Sequence, residues 1–383
     1  MARKRLYWKL IIMRVGVLTF HCAENFGAVL QAYALCQALR HLGCDPCVID
    51  YRPEYLLRPY AGIGRRPWVV ARNVLRKWRY YRFRRNFIPT TRRIYWNAED
   101  LRTYPPEVDV CICGSDQIWN KDITGGELDP AFLLDFLPSG VKRIAYAPSI
   151  GGSVVPEHHN GFVATRLDRF NALSAREPDA EKLMHHLTGR NITNVLDPTF
   201  LTSEYSAITS RHNKPRRGFI VAYSVQDSAH FPLLIRVLKQ QFDLPVVNIG
   251  TFPVSSADYN YNHLGPSEWL GWLKSATFVF TNSFHGTAFS IHFQRNFLCF
   301  SHHASSGQNL RLTHLLSQLG LSSRYIENPK NLIKDHLSMK DINYEQISPL
   351  LCVLAENSRD FLKNSIFPAI PTGTSEPLTT NSR

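Results

Sequence analysis

The stretch "FTNSFHGTAFSIHF", Phe280 to Phe293, decides the fold. Its first residues close an apolar, β-rich run, "TFVFTNS". A helical run follows, from about His285 to Gln294. Ser283, His285 and Thr287 therefore stand in the turn between a strand and a helix. Open α/β sheets bind their ligands at such strand ends.

The same alternation extends on both sides. Upstream in the second half come "FIVAYSV", a helix near Phe231–Phe242, "PVVNIG" and a helix near Ser267–Lys274. Downstream come "FLCF" and a helix near Leu310–Leu319 that stops at Gly320. The first half opens on "RVGVLTF", the loop "HCAEN", and "FGAVLQAYALCQALRHLG". There Val29, Ala32, Tyr33, Cys36 and Leu39 recur at helical spacing, and Gly43 fits just past the helix end. "CVIDY", "VDVCICGSDQIWN", "RIAYAPSIGG", "ALSAREP" and "NVLDPTF" read as further strands with loops. A faint helix is expected between Leu167 and Ala172.

With 383 residues the chain suits two cores. The expected architecture is α/β, with two Rossmann-like doubly wound domains facing a cleft. The expected boundaries are a loose extension at 1–12 and a first domain at 13–209, with a basic insertion at about 55–95. A linker at 210–218 without periodicity, a second domain with closing helices at 219–372 and a disordered tail at 373–383 complete the division.

The formal charge is +13 and is uneven. No acidic residue lies between Glu54 and Glu99, whereas twelve Lys or Arg lie from Arg58 to Arg93. Aromatic and aliphatic residues interleave with them in "RNVLRKWRYYRFRR". Such a segment suits a membrane surface or a phosphorylated ligand, or a solvated helix face beside a basic site. Nothing else in the sequence supports nucleic acid. No run approaches the length of a membrane span, and the N-terminus carries no cleavage site, so a cytoplasmic location is expected, with peripheral contact at the inner membrane face. Cys44 and Cys47 form the one close cysteine pair, with no second pair and no matching histidine spacing, which argues against zinc. They read as turn cysteines or a redox pair. The chain has no GxGxxG, Walker, HExxH or DxD motif, and no metal or cofactor is expected.

Three strand-end loops hold the candidate chemistry. Asn25 and Gly27 open the first helix, either as a cap and a packing residue or as an anion-attracting start. Ser115 and Asp116 follow Gly114 in a tight turn. His285 begins a helix, where it caps and packs or exchanges a proton. Ser283 offers a hydroxyl for an anionic oxygen. Arg176 ends an apolar strand and needs an anion or a partner such as Glu177. Asn309 and Arg311 are ligand groups or an exposed helix start.

Together, "GVLTFHCAENFGAVLQAYAL", "CGSDQIWN", "LSARE", "VLDPTF", "GPSEWLGWLKSATFVFTNSFHGTAFSIHF" and "NLRLTHLLSQLGL" resemble the polysaccharide pyruvyl transferase family. They keep the family's order from about Val15 to Arg324. The resemblance implies a glycosyltransferase-B-like pair of domains. It also implies transfer of a pyruvyl group from phosphoenolpyruvate to a hexose of a surface polysaccharide or its lipid-linked precursor, giving a cyclic ketal. In that frame His285 is the catalytic acid or base and Arg176 binds the donor's anionic groups. Some relatives carry an arginine where this chain has Ser283, so positive charge must come from elsewhere, such as Arg311. Two other classes fit the sequence: a nucleotide-sugar-dependent glycosyltransferase and a non-catalytic binding protein.

Overall fold

The computed structural model describes residues 12–62, 66–152, 159–210, 215, 217–225, 231–250, 252–301, 308–327 and 340–368. The expected tail at 373–383, most of the N-terminal extension and much of the linker lie outside these residues.

The first lobe begins with β1 (Arg14–Leu18), α1 (Phe26–His41) and β2 (Asp45–Tyr51). The basic segment holds α2 (Glu54–Leu57) and the long α3 (Pro67–Phe87), and ends in β3 (Thr90–Tyr95). Then come α4 (Ala98–Thr103), β4 (Val110–Gly114), β5 (Lys142–Tyr146), α5 (Asn160–Leu167), β6 (Ala172–Ala175), α6 (Pro178–Thr188) and β7 (Thr193–Asn194). The seven strands order as β3-β2-β1-β4-β5-β6-β7, all parallel. The helix expected between Leu167 and Ala172 lies upstream instead. α5 ends at Leu167, because Asp168 closes it by donating its amide to Ala164 and Phe170 is drawn into the core. "NVLDPTF" contributes only Asn194 to the two-residue strand β7, and Pro198 then starts a 3₁₀ turn at Pro198–Phe200 capped by Asp197. Cys47 lies within β2 rather than in a turn.

The second lobe holds β8 (Ile220–Tyr223), α7 (Phe231–Phe242), β9 (Val246–Ile249), β10 (Tyr259–Tyr261) and α8 (Pro266–Ser275). It continues with β11 (Phe278–Thr281), α9 (Phe284–His292), β12 (Asn296–Phe300), α10 (Gln308–Gln318) and β13 (Tyr325–Ile326). Its six parallel strands order as β10-β9-β8-β11-β12-β13. In both sheets the order reverses beside the first strand, between β1 and β4 and between β8 and β11. Strands such as β4 (VCICG) and β11 (FVFT) are buried throughout, because helices cover both sheet faces.

The two lobes share one apolar cluster. Phe26, at the start of α1, stacks on Trp269 of α8 with centroids 5.1 Å apart. Tyr205 meets Phe289 of α9 edge-on at 4.9 Å. The final helix, α11 (Tyr344–Ile366), returns to the first lobe. Its Ser358 hydroxyl accepts from the Leu196 amide at 2.9 Å, and Lys142 of β5 donates to the Ile366 carbonyl at 2.9 Å. The lobes are thus fixed at two points, by aromatic stacking at one and by α11 at the other.

Truncating a fully buried aromatic in such a cluster costs about 3–5 kcal/mol. Trp269→Ala should therefore lower the denaturant midpoint for unfolding well below wild type. An unchanged unfolding curve would show that the lobes do not depend on this stack.

Candidate active site

The site forms where four strand-end segments converge on one carboxylate. Asp197 follows β7, and its side chain is fully buried. Its Oδ1 accepts from the Thr199 amide (3.0 Å) and hydroxyl (2.8 Å). Its Oδ2 accepts from the Ser115 hydroxyl at 2.8 Å and from Arg176 Nη1 at 2.6 Å. Across the cleft, His285 Nε2 stands 3.5 Å from the same oxygen, within ion-pair range but outside hydrogen-bond alignment. Burial pushes the Asp197 carboxyl up, yet His285, Arg176 and the Thr199 amide outweigh it and hold the group well below the usual carboxylate range. Asp197 is therefore a fixed negative charge.

Arg176 sits just past β6 and is buried. Besides Asp197 it contacts Glu177 Oε2 at 3.4 Å and Ser115 Oγ at 3.4 Å. Burial lowers its pKa, but Asp197 and Glu177 more than compensate and raise it. Arg311, in the first turn of α10, is also buried, which removes the exposed-start reading for this residue. Burial, and then the charge of Arg176, lower its pKa to about 10. Both guanidiniums lie over the Phe284 ring, at 4.6 and 5.9 Å from its centroid. With its amide turned oxygen-inward, Gln117 accepts from Arg311 Nη1 and Nη2 at 3.3 and 3.2 Å.

The imidazole is placed by a missing side chain. A Cβ on Gly27 would fall 1.9 Å from His285 Nδ1, so only glycine lets α1 approach the ring. The structure thus brings together His285, Gly27, Arg176, Ser115 and Arg311. Asp116, next to Ser115, adopts a left-handed φ of 70° and accepts from the Gln117 amide at 2.9 Å. Asn25 caps α1 by accepting from the Ala28 amide at 3.1 Å. Ser283 caps α9 in the same way, accepting from the Gly286 amide at 3.2 Å. Both oxygens are thus engaged in capping, and the sequence reading of a cap at Asn25 describes what that side chain does. Asn309 is half-buried at the start of α10.

Uncommitted polar atoms remain at the centre. Among the described residues, Arg176 Nη2, Arg311 Nε and His285 Nε2 are buried without hydrogen-bond partners. Buried donors of this kind are costly unless an acceptor arrives. Two guanidinium N–H groups over one phenylalanine ring, with the imidazole beside that ring, suit a compact anion.

Beside the site, a cleft pocket of about 210 Å³ is lined from both lobes. Asn25, Phe26, Tyr60, Arg76, Tyr223 and Tyr261 contribute to its wall. Asn25 and Phe26 precede Gly27 directly, so the pocket abuts the imidazole's support.

Asp197 and Phe284 were not singled out as site residues from the sequence. Asp197 lay in the quoted "VLDPTF", and the signal was an acidic residue before proline at a strand end. Its role depends on Arg176 and Ser115, which are distant in the chain.

Two facing parallel-sheet lobes with a cleft define a glycosyltransferase-B type of fold, and solved structures agree. Staphylococcus aureus MnaA, solved with UDP, is 10% identical, with a TM-score of 0.50 over 88% of this chain and 91% of its own. A UDP-glucosyltransferase from Polygonum tinctorium is 8% identical, with a TM-score of 0.50 over 93% and 98%. A Thermobaculum terrenum O-GlcNAc transferase is 11% identical with a TM-score of 0.43, matching 93% of this chain, which spans only 64% of that one. Among curated protein sequences, none matches. The polysaccharide pyruvyl transferase family matches residues 25–304. The chain belongs to that family, which is one of transferases.

Removing one partner of a buried ion pair costs about 3–5 kcal/mol. Asp197→Asn should be strongly destabilised at neutral pH, because Arg176 loses its counter-charge. Asp197 is depressed in the folded state, so its contribution is full above the ordinary carboxyl pKa of about 3.9 and is lost as pH falls toward the lower folded value. The gap between wild type and Asp197→Asn should stay constant through neutral and mildly acidic pH and narrow only below about 4. A gap that already closes at neutral pH would mean that Asp197 is not held ionised.

Proposed function

We propose that this protein transfers the pyruvyl group of phosphoenolpyruvate to two hydroxyls of a saccharide, forming a cyclic ketal. The observation that carries this reading is the buried pair Arg176 and Arg311, each with an uncommitted N–H, beside His285. Phosphoenolpyruvate is small and multiply anionic, which matches guanidinium forks in a desolvated site. Membership in the pyruvyl transferase family supports the reaction class.

The chemistry assigns each group a task. The first sugar hydroxyl adds to C2 of the donor while C3 gains a proton and becomes a methyl group. The second hydroxyl then adds to C2 as phosphate leaves with the C2–O bond electrons. Of the two hydroxyl protons, one is balanced by C3 and the other leaves on phosphate. His285 is the group placed to give one proton and accept the other. Asp197, fixed and ionised 3.5 Å from Nε2, offsets the ring's charge when it is protonated. Arg176 and Arg311 hold the donor's carboxylate and phosphate. The adjoining cleft pocket, with Tyr60, Tyr223 and Tyr261 on its wall, offers aromatic rings and polar groups to a sugar ring.

Phosphoenolpyruvate should raise the thermal midpoint of the wild-type protein, and UDP- or GDP-sugars should not. The reverse pattern would favour a nucleotide-sugar glycosyltransferase. With a saccharide acceptor, His285→Ala should abolish phosphate release while keeping donor-induced stabilisation. Arg311→Gln should raise the donor KM about tenfold or more, the worth of one charge-assisted hydrogen bond of roughly 1.5–3 kcal/mol. An unchanged KM would remove Arg311 from the donor site.

A further inference from the structure

Helix α3 is amphipathic with the usual polarity reversed. Trp68, Val74, Trp78 and Tyr81 are 60%, 55%, 50% and 52% exposed, and Leu75 joins them. Ala71, Arg82 and Arg85 are exposed as well. These positions recur at three- and four-residue spacing, so they form one outward stripe along the helix.

Several arginines that make the segment basic face the protein instead. Arg76 pairs with Glu24 at 2.8 Å. Arg79 donates to the His263 carbonyl at 3.0 Å and lies 3.4 Å from Glu268. Arg84 donates to the Cys22 carbonyl at 3.0 Å. Tyr80 and Phe83 complete the inner face. The basic segment is therefore not simply a solvated face: Arg76, Arg79 and Arg84 are used by the protein, and the apolar residues are left outside.

We propose that this outward stripe of α3 docks on a bilayer surface containing anionic lipid, with Trp68, Val74, Leu75, Trp78 and Tyr81 entering the headgroup boundary. A contiguous exposed apolar stripe marks an interaction surface. Tryptophan and tyrosine favour the lipid–water boundary, where the ring is buried and the polar edge stays wet. The flanking charges all carry one sign. Arg66 lies 5.5 Å over the Trp68 ring and Arg82 5.3 Å over the Trp78 ring, which sets a cation beside each inserting indole. No acidic residue between Glu54 and Glu99 opposes an anionic headgroup.

The same charge argues against a second copy of this chain as the occupant. A two-fold contact would set Arg66, Arg82 and Arg85 against their own images with no carboxylate on the helix to offset them. Arg76 and Tyr80, on the inner face, line the cleft pocket. Docking through α3 therefore holds the cleft close to the membrane plane. Docking itself does not depend on the reaction.

The test is sedimentation of the full chain with phosphatidylcholine vesicles and with vesicles of equal parts phosphatidylcholine and phosphatidylglycerol. Wild type should pellet with the mixed vesicles, with a blue shift of tryptophan emission, and should bind far less to pure phosphatidylcholine. Trp68→Ser/Trp78→Ser should cut the partition coefficient about tenfold or more, since each loses a large buried apolar area. Arg82→Glu/Arg85→Glu should weaken binding and remove its salt dependence. Both double variants change exposed positions, and an unchanged thermal midpoint checks their fold. Absence of wild-type binding would overturn the proposal. So would serine variants that bind as wild type does, or a dimer in light scattering that Trp78→Ser dissolves.

Discussion

One buried carboxylate organises the centre of this molecule. Asp197 collects a hydroxyl from the β4 loop, a guanidinium from the end of β6, and an amide and hydroxyl from its own turn. It also faces an imidazole from the other lobe. An isolated charge could not remain there, since burial alone would neutralise it. Its ionised state rests on the donors and charges around it, His285, Arg176 and the Thr199 amide foremost. The first lobe must therefore fold its loops to one point, and the second must close over that point with α9.

Closure in turn rests on packing without side chains in the way. Gly27 gives His285 its seat, while Phe26 beside it stacks on Trp269. A single dipeptide of α1 thus serves two purposes, tying the lobes together and seating the ring. The return of α11 onto β5 and the loop at Leu196 adds a second tie close to Asp197. The relation between lobes, rather than either sheet alone, determines what the site can hold.

The fold is shared with MnaA and a UDP-glucosyltransferase at about one-tenth identity, so the sheets and helices carry no specificity by themselves. Specificity has to come from the side chains at the strand ends. Here two arginines over one phenylalanine ring keep donors unspent, whereas the nearby carboxylates of Asp197 and Glu177 are engaged. Membership in the pyruvyl transferase family and a site short of acceptors point the same way.

The local alternation of strand and helix was legible because buried parallel strands are continuous apolar runs and their helices keep a regular apolar face. Val110–Gly114, Phe278–Thr281 and Phe26–His41 stand where their patterns put them. Short edge strands such as Thr90–Tyr95 and Tyr325–Ile326 carry no continuous apolar run, since one unpaired edge tolerates polar residues. His285, Gly27 and Arg176 could be picked out by their strand-end positions. The burial of Arg311 and the role of Asp197 are not legible in the sequence, because both depend on neighbours far along the chain. Helix α3 shows the limit most plainly. Sequence periodicity defines two faces of a helix, but not which one meets the protein when each mixes aromatics with arginine. Only the carboxylates of Glu24 and Glu268 and the carbonyls of Cys22 and His263 turn Arg76, Arg79 and Arg84 inward and leave the tryptophans outside.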